Sequence, residues 1–159
     1  MARFRTCIAA YLIVKNEDRL LLSLRKNTSY MDGYYSLVAG HVEENEPASY
    51  ACVREALEEA AMELSIEDIK PACVMYRLLK GETYVDIYFI TENYTGTLRN
   101  NEPEKCGDLN FFDMNNLPQN TIPYVKVAIK NALNGFFYCE YGFDDEINNN
   151  FYTKEDFIG

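Results

Sequence analysis

The segment from Pro47 to Leu64 constrains this chain most, because helical periodicity and a dense run of carboxylates coincide there, between strand-like regions. Proline suits the start of such a helix, since its missing N–H is no loss in the first turn. At about 100° per residue, with Glu55 set at zero, Glu59 falls near ~40° and Glu58 near ~300°. Val53, Ala56, Leu57, Ala60, Ala61 and Leu64 fall between about 100° and 240°, the expected core face, with the charge opposite. A face built for helix stability sets Lys or Arg four residues after each Glu. Here Glu55 is followed at that spacing by Glu59, and Glu59 by Glu63, each like-charge pair costing about 0.2–0.5 kcal/mol. Arg54 is the one basic residue within the carboxylate segment. Charge geometry alone leaves a solvated face and a metal site equally open.

An all-oxygen donor set points to a hard cation, Mg²⁺ or Mn²⁺. His41 is the single histidine, which argues further against zinc. Mg²⁺ held by a few carboxylates keeps water and takes its other ligands from substrate phosphates, so the implied chemistry is metal-assisted hydrolysis at phosphorus.

Around this helix the pattern is mixed α and β. Residues 4–14 and 19–25 read as a hairpin about the polar turn Lys15 to Asp18. A loop over 27–33 precedes a short strand, 34–38, and an acidic loop runs from Gly40 to Glu46. Strands are expected over 72–80 and 83–92; in the second, Val85, Ile87 and Phe89 alternate with Tyr84, Asp86, Tyr88 and Ile90. A polar loop over 93–107 leads to a strand at 109–113 and a helix over 125–133. The aromatic, acidic tail has no clear period. At 159 residues, without a dividing linker, one domain is expected over 1–135, with the tail 136–159 belonging to it.

The spacing Gly40, five residues, Glu46, seven residues, Arg54-Glu55, Ala56, Leu57, Glu58-Glu59, then Ala60, Ala61 and Met62 resembles the Nudix box. The order strand, strand, box, strands, helix extends the resemblance over roughly residues 4–134. It implies an α/β (α+β) fold, an α/β/α sandwich on a mixed sheet, and a pyrophosphohydrolase acting on nucleoside diphosphate derivatives. It also implies Glu55 and Glu59 as metal ligands, with Glu58 a further ligand or the group that orients water. Glu46 and Arg54 would lock loop to helix, and Gly40 would be structural. Two positions depart from the box. Ala61 replaces its last glycine, and Val38-Ala39-Gly40 stands where many relatives have Pro-Gly-Gly. In the family the backbone carbonyl at the Ala39 position helps bind metal.

Relatives also use a carboxylate outside the box, for which Glu102 and Glu104 are the candidates, although either would serve as an ordinary loop charge. Arg25 ends a strand where relatives place a phosphate-contacting cation. Tyr35 and Leu37 could border a base pocket, and Asn120 falls where some relatives bond the base edge. The markers of the ADP-ribose, coenzyme A and NADH subclasses are not apparent. By elimination the chain resembles the MutT-type group, which converts nucleoside triphosphates, oxidised ones included, to monophosphate and pyrophosphate. ADP-ribose or dinucleotide hydrolysis is the alternative, and a silent nucleotide-binding module a third.

The formal charge of −10 argues against a nucleic-acid polymer as partner, though residues 1–26 carry +4 and the remainder −14. The apolar run Cys7 to Val14 is too short to span a bilayer, so no membrane is expected. Five cysteines without paired spacing suggest reduced thiols and a cytoplasmic setting. Oligomeric state, monomer or homodimer, is not legible.

Overall fold

The computed structural model describes residues 3–143 and the backbone of Tyr152–Thr153; the rest of the acidic tail lies outside the described residues. Strand β1 (Cys7–Asn16) turns through Glu17, at φ 53°, into β2 (Arg19–Arg25). Short strands β3 (Tyr35–Ser36) and β4 (Val38–His41) follow, then helix α1 (Ala48–Ala60). Strands β5 (Lys70–Leu79), β6 (Glu82–Thr91) and β7 (Cys106–Asp113) precede helix α2 (Pro123–Leu133), β8 (Phe136–Tyr141) and β9 (Tyr152–Thr153).

Among the described residues these strands form one nine-stranded sheet, ordered β3-β2-β1-β6-β5-β8-β9, with β4 on β1 and β7 on β2. It is mixed, because β1 with β6 and β5 with β8 run parallel while the other pairs are antiparallel. Helices cover both faces, which is why β1 is apolar on both sides from Ala9 to Val14. Ala10, Leu12, Val14 and Phe89 pack with α1 on one face. Ala9, Tyr11, Ile13 and Tyr88 pack with Val125, Ala128 and Ile129 of α2 on the other. The alternation along β6 therefore sorts side chains between two cores. The fold is the α/β/α sandwich that the Nudix resemblance implies.

Several boundaries differ from expectation, and three have a clear cause. Gly40 and His41, read as loop, continue β4 because they pair with Ala10 and Ala9 of β1. The unpatterned start of the tail forms β8: Gly135, at φ 79°, reverses the chain after α2, and the strand pairs with β5. Helix α1 stops at Ala60 rather than Leu64, because Ala61 adopts a left-handed conformation at φ 52°, ψ 29°. The Ala61 N–H bonds Leu57 O, and the Met62 N–H bonds Ala56 O, both at 3.1 Å, closing the last turn. Arg99 N and Asn101 N then donate to Ala60 O and Glu59 O, so the loop after β6 supplies partners for the helix end.

A left-handed alanine costs roughly 1–2 kcal/mol, part of which glycine would lose again to its freer unfolded chain. Ala61→Gly is therefore expected to stabilise the protein by about 0.5–1 kcal/mol and raise Tm by about 2 °C. Thermal denaturation checks this, and a lower Tm in the variant would refute it.

Candidate active site

The residues of α1 that enter the core are Ala51, Cys52, Ala56 and Ala60, all small, while Leu57 is 51% exposed. The buried arc thus runs from about −40° to about 140° on the wheel defined above and takes in Glu55 and Glu59. This corrects the expectation of opposed faces: both glutamates point inward, and Leu57 points to solvent. Small side chains let the helix approach the sheet closely. Gly40 on β4 completes the approach, because a Cβ there would fall on the Glu55 carboxyl group. The box needs glycine at this position to make room for a carboxylate.

Arg54 organises the acidic segment. Its Nε and Nη2 donate to the two Glu46 oxygens at 2.8 and 3.0 Å, a bidentate pair. Its Nη1 reaches Glu55 at 2.7 Å and Glu58 at 3.3 Å, and Nη2 also donates to the His41 carbonyl at 3.2 Å. The Arg54 guanidinium, helped by the Glu43 N–H, holds the Glu46 carboxyl down at about 2. Glu46 and Arg54 thus tie the 42–47 loop to the helix.

Glu59 stands apart. Among the described residues it has no ion pair, and its side-chain partner is the Ala39 N–H at 3.2 Å. Burial, reinforced by Glu55 and Glu102 and opposed by the Ala39 N–H, lifts its carboxyl to about 8. Burial raises Glu55 as well, against the pull of Arg54. Glu55, Glu58, Glu59, Ala39 and Glu102 line one cavity of about 520 Å³. Among the described residues, no three acidic, histidine or cysteine side chains enclose an ion on their own. An ion fitting this all-oxygen set would take part of its shell from water and substrate phosphate. A buried carboxyl beside two others, with no ion pair of its own among the described residues, is the feature that such an ion would answer.

The outer candidates separate. Glu102 lines the cavity and is bonded by Lys105 Nζ at 3.1 Å, whereas Glu104 is exposed outside it. Arg25 borders this cavity; its Nε and Nη2 donate to Tyr30 O and Thr28 Oγ1 at 2.7 and 3.0 Å. Leu37 is buried and lines the same cavity. Tyr35 donates to Asp108 at 2.7 Å, and Asn120 braces the Gly33 carbonyl at 2.8 Å. Ala39 keeps a negative φ, so replacing glycine there strains nothing.

A second cavity, about 460 Å³, opens on the α2 face and shares Arg25, Thr28, Ser36 and Ala39 with the first. Its floor includes Tyr11, Arg77, Tyr84 and Tyr124. Arg77 donates from Nε and Nη2 to buried Asp86 at 2.6 and 3.2 Å. The rings of Tyr84 and Tyr124 each lie 4.1 Å from its Cζ, clamping the guanidinium. Reading the sequence missed this group. Its only trace was the alternation of Tyr84 and Asp86 on β6, since the group is drawn from three separate elements, β5, β6 and α2.

The raised Glu59 carboxyl sets a pH dependence. The unfolded chain releases this proton near ~4.3, whereas the folded one keeps it until about pH 8. Between those values the unfolded state binds fewer protons, so metal-free stability falls as pH rises. Tm measured without divalent ions should drop by several degrees from pH 5 to pH 8, and Glu59→Gln should flatten the slope. Parallel slopes for the two proteins would contradict the assignment.

The NUDIX domain family matches residues 5–130. The fold resembles a MutT NUDIX hydrolase from Burkholderia pseudomallei at TM-score 0.73 and 25% identity, covering 80% of this chain and 98% of that one. A mutator MutT protein from Bacillus halodurans aligns at TM-score 0.69 and 16% identity, covering 91% of this chain and 95% of that one. A MutT protein from Methanosarcina mazei aligns at 0.68 and 18%, covering 84% and 97%. No helix among the described residues is long and apolar enough to cross a membrane. A carboxylate-lined cavity on the box helix, an α/β/α sandwich and a family match over most of its length together place the chain: it belongs to the Nudix family and is a pyrophosphohydrolase of nucleoside diphosphate derivatives.

Proposed function

We propose that the chain hydrolyses a nucleoside triphosphate to monophosphate and pyrophosphate, with Mg²⁺, or Mn²⁺ in its place, at the glutamate cavity. The observation that carries this reading is Glu59, buried with no ion pair among the described residues, beside Glu55 and Glu102 in one cavity. When bound, the ion would neutralise phosphate charge and activate water for attack at phosphorus. Glu55, Glu59 and Glu58, with the Ala39 carbonyl, are the residues that would hold it. Glu58, 52% exposed in its side chain and only loosely tied to Arg54, is free to orient water as well.

Glu102 is the preferred general base outside the box, since it lines the cavity with the helix glutamates; Glu104 is the weaker candidate. Arg25 borders both cavities, where a guanidinium can bond phosphate oxygens as the substrate passes from one to the other. Leu37 lines the glutamate cavity, Tyr35 ties β3 to β7 through Asp108, and Asn120 braces the turn at Gly33. Gly40, Glu46 and Arg54 hold the frame. The substrate is a small nucleotide rather than a polymer or a membrane lipid, and five free cysteines suit a reducing, cytoplasmic setting.

Pyrophosphate release from nucleoside triphosphates, followed with and without Mg²⁺, tests this reading. Glu59→Gln is expected to lower kcat about 100-fold or more, a loss of roughly 3 kcal/mol in transition-state stabilisation. Glu102→Gln should fall by at least about tenfold and Glu104→Gln by less than about twofold. Metal-independent rates equal in wild type and Glu59→Gln would overturn the proposal.

A further inference from the structure

We propose that Arg77, held by Asp86 and clamped between Tyr84 and Tyr124, determines specificity in the second cavity by reading two adjacent acceptors of an uncharged planar base: the N7/O6 edge of an unmodified 6-oxopurine nucleotide. This rests on the reading of the glutamate cavity as the diphosphate site.

A guanidinium has five N–H donors in a rigid fork. Asp86 takes one from Nε and one from Nη2. The second Nη2 hydrogen and both on Nη1 remain, and among the described residues Nη1 has no hydrogen-bond partner. Arg77 is only 3% exposed, and it lines the cavity, so the accessible tip of its side chain faces that space. The Nη1 and Nη2 hydrogens that Asp86 does not take lie at the cavity, where a ligand with matching acceptors would pair with them. The two tyrosine rings and the bidentate pair fix the fork's plane, so the edge is set before any ligand arrives.

Charge selects among ligands. Asp86 is fully buried and already balances Arg77, so a second anion would find no uncompensated cation there. A neutral acceptor pair fits instead. Guanine and hypoxanthine offer N7 and O6 side by side, the edge that arginine reads bidentately. Adenine sets an amino donor beside N7, and guanine oxidised at C8 carries hydrogen on N7, so each turns a donor toward a donor. The cavity, about 460 Å³, has room for a purine and joins the glutamate cavity at Arg25 and Ala39. A nucleotide therefore spans both, with its base at Arg77. This separates the chain from an enzyme built to select 8-oxidised guanine.

Calorimetric titration with monophosphates in magnesium-free buffer tests the proposal without turnover. GMP and IMP should bind alike. AMP, 7-deaza-GMP and 8-oxo-GMP should bind roughly 5- to 150-fold more weakly, the range for one bidentate pair. Arg77→Met alone would strand the buried Asp86 charge, so the informative variant is Arg77→Met with Asp86→Leu, its fold verified by circular dichroism. That variant should bind all five ligands within about twofold of one another. Equal or undetectable wild-type binding of all five would overturn the assignment, as would a GMP preference that survives in the double variant. Selective GMP binding without Mg²⁺-dependent hydrolysis of GTP would leave Arg77 in place and remove the diphosphatase reading. Hydrolysis with no base preference in binding would do the reverse.

Discussion

A single guanidinium, that of Arg54, gathers both Glu46 oxygens, one oxygen each of Glu55 and Glu58, and the His41 carbonyl. Like-charged side chains on one helix repel, and a loop of glutamates beside them would repel further. Arg54 turns that repulsion into a bonded frame joining β4, the loop and α1. It leaves out one member. Glu59 lies outside this frame: among the described residues its side chain meets the Ala39 N–H, and burial keeps its carboxyl protonated up to about pH 8. The architecture of the site follows from this division between carboxylates the protein satisfies and one it does not.

The sheet then sets what surrounds that carboxylate. Because β1 pairs with β4 on one side and β6 on the other, the chain places Ala39 and Gly40 between the acidic helix and the tyrosine-lined floor. One cavity opens toward each helix layer, and Arg25 and Ala39 belong to both. The two surfaces differ in kind: carboxylate oxygens toward α1, aromatic rings and a neutralised ion pair toward α2.

Much of this was legible in the residues. Most strands and both helices followed from period and length, the α/β/α sandwich from the Nudix resemblance, and the box spacing marked Glu46, Arg54, Glu55, Glu58 and Glu59. What escaped is what only packing determines. A wheel sorts residues by polarity, so it placed the glutamates opposite the core; small alanines and Gly40 reversed this by drawing the helix onto the sheet. The stop at Ala61 was invisible because alanine favours helix, and the loop that satisfies the helix end lies far off in sequence. Strand β8 carries no alternation strong enough to announce it, since its pairing with β5 supplies the order. The Arg77 cluster joins side chains from β5, β6 and α2, and no local pattern links them.

The small inner face of α1 has a consequence for how this protein can change. In many enzymes the hydrophobic core and the reactive groups occupy separate sides of a helix, and one can drift while the other is held. Here Ala56 and Ala60 lie on the same side as Glu55 and Glu59, with Gly40 pressed against the Glu55 carboxyl group. A single added methyl group under that helix lifts the carboxylates with it, since a close-packed interior transmits the shift. Fold and chemistry are geared together along this seam, so a substitution in the core of α1 acts on the carboxylates as well.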